Sequence, residues 1–148
     1  MNKELKQYIK RRRQGQNVRV GVMYAQVLMT GEVTLGFSLC SKEDQFCPEV
    51  ADHMAFCRSL AYMDRSPYIK EIVDGQHVIT KNLIPDSCKT DMAVFIGRVE
   101  RFFKEHTLPK WAADYYADHK DLVEAFFAAL EKKKAAAKAK EAPVNGGA

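Results

Sequence analysis

Hydrophobic and polar positions alternate most clearly between residues 18 and 40. Val18 to Leu28 is rich in β-branched and aromatic residues, and Val33, Leu35, Phe37 and Leu39 recur at every second position. Thr30-Gly31-Glu32 lies between the two runs as a turn signal, so they predict an antiparallel β-hairpin. Gly21 and Gly36 sit inside its strands and predict a bulge or the close approach of another segment. Ahead of the hairpin, Leu5, Tyr8 and Ile9 share one side of a helical turn. That spacing predicts a short basic helix over 3–14, broken by Gly15-Gln16-Asn17.

After the hairpin the period changes. Ser41 to Phe46 reads as a polar loop, with Asp44 placed to cap the helix that follows, and Pro48 suits its first position. That helix is expected to run to about Tyr62. Val50, Met54, Cys57 and Ala61 recur at four, three and four residues and predict its core stripe, with Glu49, Asp52, His53 and Ser59 toward solvent. Ile69–Val73 and His77–Leu83 around Asp74-Gly75 predict a second hairpin, in competition with a short helix over 67–73. Thr90-Asp91 opens another helix, whose apolar face is Met92, Phe95, Ile96, Val99, Phe102 and Phe103, with Arg98, Glu100, Arg101 and Lys104 opposite. Pro109 interrupts, and Trp111 to about Lys134 reads as a last helix or helix pair carrying Trp111, Tyr115, Leu122, Phe126 and Leu130 on one side.

These elements predict an α+β fold, a hairpin or small antiparallel sheet packed against three to four helices with a helical C-terminal half. The expected organisation is a basic arm or short helix over 1–17, one domain over 18–134 and a disordered low-complexity tail over 135–148. A chain of 148 residues can fill a core without metal or disulfide staples. The four cysteines, Cys40, Cys47, Cys57 and Cys88, are irregularly spaced and read as small buried hydrophobes in a reducing compartment. No apolar run is long enough to cross a membrane, and no apolar leader follows the charged start, so an intracellular protein without membrane contact is expected.

Charge alters this picture mainly through its distribution. The net charge of +4 arises from seven Lys or Arg against one Glu over 1–19 and five Lys against two Glu over 131–141, around a mildly acidic body. Lys10, Arg11, Arg12 and Arg13, with Arg19, form the candidate nucleic-acid contact, salt-dependent and without interleaved rings for base stacking. No glycine-rich phosphate loop occurs, and Glu43, Asp44 and Glu49 disfavour an anion at the first helix start. Arg58, Arg98 and Arg101, with Arg65, are the candidates for a phosphorylated ligand.

Catalytic chemistry has little support. His53 and Cys57 are four apart on one helix, but a thiol on a buried stripe is inert. Cys40, Cys47, His53 and Cys57 lack the spacing of a zinc site, so neither metal nor cofactor is expected. The rings of Phe102, Phe103, Trp111, Tyr115, Tyr116, Phe126 and Phe127 are too dense for one core to bury with ease. Trp111, Tyr115, Tyr116, Phe103 and Phe127 are therefore the candidate partner-binding residues, for another protein or for a second copy in a homo-oligomer.

The segment Gly36-Phe37-Ser38-Leu39-Cys40-Ser41-Lys42-Glu43-Asp44-Gln45-Phe46, followed by Ala55 and Arg58, resembles one found in small bacteriophage accessory proteins, where a strand enters a helix through a Cys-Ser-Pro-Lys-Asp-x-Phe-like turn. It keeps Asp44, Phe46, Ala55 and Arg58 and departs at Ala51-Asp52, where the pattern has Gly-Arg. The resemblance implies a phage-encoded, non-enzymatic protein in the host cytoplasm that inhibits or redirects a host factor, such as a defence or transcription system. Some anti-defence proteins similar in this segment sequester cyclic nucleotide signals, which makes a nucleotide sponge using arginines one alternative. A basic-armed nucleic-acid-binding protein is the other.

Overall fold

A computed structural model describes residues 3–40, 45–62, 66–68 and 84–146, with side chains as far as residue 139. The expected second hairpin and the Asp44 cap lie outside the described residues, as does Arg65. The described chain is α+β. Strands β1 (Glu4–Arg13), β2 (Gln16–Val27) and β3 (Val33–Leu39) form an antiparallel sheet in the order β1-β2-β3. Helix α1 (Pro48–Ala61) follows, and α2 (Lys89–Phe102), α3 (Lys110–Asp118) and α4 (Lys120–Gly146) make up the C-terminal half.

The predicted hairpin is β2–β3, and both of its internal glycines have the expected geometric causes. Gly21 adjoins a register shift at Ile9/Lys10, and a Cβ there would lie 2.5 Å from the Ser38 carbonyl oxygen. Gly36 lies under α1. At the turn, Gly31 takes φ +90° and its N–H donates to the Leu28 carbonyl.

Residues 3–14 are not a helix. They form β1, joined to β2 by a two-residue turn in which Gln14 and Gly15 both have positive φ, the geometry that matches the right-handed twist of paired strands. Along β1, Leu5 and Ile9 pack with the α2 side, and Gln7 and Arg11 bond to α2 residues. Lys6 and Tyr8 face α1. This period of two is hidden in the sequence because polar residues fill most positions on both faces. The N-terminal segment is therefore part of the sheet rather than an arm beside it.

Each face of the sheet is covered. Val22 and Tyr24 form one cluster with Ala51 and Ala55 of α1. The alternate positions Met23 and Ala25, with Val33, Leu35 and Phe37, join Phe95, Ile96, Val99, Phe103, Tyr115 and Val123 of the C-terminal helices in the main core. The predicted face of α2 is buried except for Phe102. Pro109 caps α3, and the last helical region is a pair broken at His119. The backbone of α4 stays helical to Gly146 where a disordered tail was expected from 135. Ala, Lys and Glu dominate that stretch, and they are among the strongest helix formers.

Candidate functional site

Helix α1 begins with Pro48 at its first turn, and its cap residue Cys47 makes no side-chain cap hydrogen bond. Its buried side is narrow: Ala51, Ala55 and Ser59, at i, i+4 and i+8. Small residues are required there because α1 lies directly on Gly36, where a Cβ would be 2.2 Å from the Ala55 carbonyl oxygen and 2.5 Å from the Ser59 nitrogen. Polar bonds complete the attachment. Ser38 Oγ donates to the Ala51 carbonyl at 2.9 Å, and Gln26 Nε2 to Ser59 Oγ at 2.9 Å. Lys6 Nζ meets Asp52 Oδ2 at 2.7 Å, with the Tyr8 hydroxyl on the same oxygen at 3.3 Å. The hydrogen bond from Lys6 to Asp52 raises the lysine pKa, against a smaller effect of burial.

The predicted core stripe of α1 consequently faces outward. Val50 is 57% exposed and Met54 40%, and Cys57 and Ala61 are exposed too, whereas Ser59, expected in solvent, is buried. Phe56 and Leu60 are also exposed, although Phe56 meets Tyr24 edge to face at 5.8 Å. On this outer side Cys57 Sγ lies 3.6 Å from His53 Nε2. Cys47 is exposed, Cys40 is half-buried, and Cys88 alone is buried, which raises its thiol pKa. Among the described residues, no three His, Cys, Asp or Glu side chains converge as a metal site.

The predicted partner-binding rings divide. Phe103 and Tyr115 are core residues, so they offer nothing to a partner; Trp111 and Tyr116 are half-buried against that core. Phe127 is 39% exposed, beside Phe126 at 40%, and Phe102 at 48% takes the exposed place assigned to Phe103. Adjacent helical positions diverge by roughly 100°, so only one of Phe102 and Phe103 can face the core. Tyr115 meets Tyr68 edge to face and lies against the tilted ring of His119, and its hydroxyl has no hydrogen-bond partner among the described residues. Burial raises its pKa, and burial followed by the hydrogen bond to Asp118 pushes Tyr68 to about 12.

The candidate phosphate arginines are not brought together. Arg58 on α1 is half-buried and donates to the Phe37 carbonyl at 3.1 Å. Arg98 and Arg101 lie on α2, across the sheet, and Arg98 bonds Gln7. Of the basic run, Arg11 is tied to Asp91 at 2.6 Å and to the Ser87 carbonyl at 2.6 Å, while Lys10, Arg12 and Arg13 are exposed. At the β1–β2 tip, a cleft of about 590 Å³ is lined by Arg13, Asn17, Arg19, Gln45 and Phe46 among others. The Arg19 guanidinium stands 4.9 Å from the Tyr8 ring centre and 5.7 Å from that of Phe46. No described helix is long and apolar enough to cross a membrane.

Comparison with protein-family models, curated proteins and solved structures found no match to this chain.

Proposed function

We propose that this chain is a non-enzymatic, phage-encoded binding protein that acts in the host cytoplasm. In this reading it docks on a host protein through the outer side of α1 and so inhibits or redirects a defence or transcription system. One observation carries the binding role: α1 turns its four large apolar residues, Val50, Met54, Phe56 and Leu60, toward solvent and keeps alanine and serine beneath. An exposed apolar helix face is suited to a hydrophobic groove on another protein. The phage origin and host target rest on the resemblance of the segment from Gly36 to Arg58. The test is capture from host lysate by wild type and by a Met54→Glu/Leu60→Glu variant with unchanged circular dichroism. One stoichiometric protein held by wild type and lost by the variant supports the reading; equal recovery, or none, overturns it.

The cleft at the β1–β2 tip favours a second reading, an anionic nucleotide or nucleic-acid ligand. Exposed Arg13 and Arg19 beside Phe46 combine charge with a ring for stacking. Salt-sensitive retention on DNA, or nucleotide co-purifying with the protein, that disappears in Arg13→Glu/Arg19→Glu would support it.

A further inference from the structure

The face of the sheet that carries α1 is not covered to its end. Gln7 and Arg11 bond to α2 residues, so the alternate positions Lys6, Tyr8, Lys10 and Arg12 of β1 take the α1 side. Helix α1 rests on Val22 and Tyr24. Nearer the β1–β2 turn, Lys10 stands opposite Arg19 and Arg12 opposite Asn17, and all four are exposed. Lys6 and Arg11 are paired with Asp52 and Asp91, whereas Lys10, Arg12, Arg13 and Arg19 form no ion pair among the described residues.

To this basic edge the fold adds a guanidinium supported by rings. Arg19 stands 4.9 Å from the Tyr8 ring centre and 5.7 Å from that of Phe46, and the two rings meet edge to face at 6.0 Å. Tyr8 comes from the middle of β1 and Phe46 from the approach to α1, so the run from Lys10 to Arg13 shows neither ring in sequence. A guanidinium held in this way offers a plane on which a base can stack. Beside it, Gln16, Asn17 and Gln45 line the cleft of about 590 Å³ with carboxamides. Each carboxamide both donates and accepts, as pairing with base edges requires. No Asp or Glu lines the cleft among the described residues.

This combination selects a ligand. Cations at alternate strand positions lie about 6.7 Å apart and suit a phosphate backbone running along β1. A base reaches the Arg19 plane and the carboxamides only when it is unpaired, because a duplex keeps its base faces in the stack. A free nucleotide would leave most of the basic row unused. We infer that the β1–β2 tip binds single-stranded nucleic acid, with the backbone on Lys10, Arg12 and Arg13 and a base stacked on Arg19. The inference rests on the second reading above and names its ligand as an unpaired strand.

Fluorescence anisotropy of the full chain tests it, with a short labelled DNA strand, the same strand annealed to its complement, and adenosine monophosphate as competitor. The single strand should bind more tightly than the duplex, and the monophosphate should compete poorly. Three phosphate contacts predict a slope of log K against log salt of about −2.1, or about 20-fold weaker binding between 50 and 200 mM salt. Arg12→Gln/Arg13→Gln, at exposed positions, should reduce that slope to about −0.7. Arg19→Lys keeps the charge and removes the plane, so it should weaken binding about tenfold and leave the slope unchanged. Duplex bound as tightly as single strand, or monophosphate bound as tightly as the strand, would overturn the inference and leave the second reading standing. A slope unmoved by Arg12→Gln/Arg13→Gln would overturn it too, by placing the contact elsewhere. Absence of binding to all three probes at low salt would overturn both.

Discussion

Gly36 concentrates the constraint on α1. A methyl group there would overlap the Ala55 carbonyl oxygen at 2.2 Å and the Ser59 nitrogen at 2.5 Å. Both are helix backbone, so no side-chain rotation relieves the clash and the whole helix must lift from the sheet. Gly36→Ala is therefore expected to destabilise the fold by about 3 kcal/mol, the upper end for overpacking. Gly97→Ala is the comparison. Its Cβ would meet Tyr116 Cε1 at 2.9 Å, an atom of a half-buried ring that can shift, and a helix interior favours Ala over Gly. Its cost should be clearly smaller. Urea denaturation midpoints of the two variants decide the point, and equal losses would show that the approach of α1 to Gly36 is not the constraint.

At the scale of the element, α1 separates apolar period from buried face. Val50, Met54, Cys57 and Ala61 recur with a 4-3-4 spacing, yet the sheet holds Ala51, Ala55 and Ser59 instead. A substitution series should reveal this sidedness. Met54→Glu and Leu60→Glu are expected to change stability by no more than about 0.5 kcal/mol, as exposed substitutions do. Ala55→Leu should cost about 2 kcal/mol, because the inserted side chain has no room over Gly36. Thermal melts of the three variants would check it, and a large loss in the glutamate variants would make the outer stripe a buried one. The same contrast explains what was legible. Strands β2 and β3 and the face of α2 were readable because large apolar residues mark their buried positions. The face of α1 was not, since small residues carry little hydrophobic signal and Gly36 belongs to another segment. Strand β1 was hidden because it has few apolar residues and is revealed by its pairing with β2. Among the rings, Phe127 was readable as exposed, but whether Phe102 or Phe103 turned inward depends on helix phase.

Across the whole molecule, the resolved proton equilibria point in one direction. Tyr24, on the α1 side of the sheet, is pushed up by burial and by the hydrogen bond it donates to Glu4 at 2.7 Å. Tyr115 and Cys88, in the opposite core, are raised by burial, and Tyr68 is raised to about 12. Lys6 is raised by its hydrogen bond to Asp52. In each case the folded state keeps a proton that the unfolded chain would already have released. The unfolded state then binds fewer protons, so the free energy of unfolding falls as pH rises. Stability from these groups is complete below their ordinary values, 9.0 for the thiol, 10.0 for the phenols and 10.5 for the lysine. It is lost as pH climbs through their folded values, for Tyr68 between 10.0 and about 12. Denaturation midpoints should therefore decline from about pH 9 upward, with tyrosinate absorbance rising together with unfolding. Tyr115→Phe should make that decline shallower. Its stability near neutrality should stay within about 1 kcal/mol of wild type, since the hydroxyl it removes is buried without a partner among the described residues. Midpoints that hold level through pH 11, or tyrosines that ionise freely while the fold persists, would contradict the burial of these phenols.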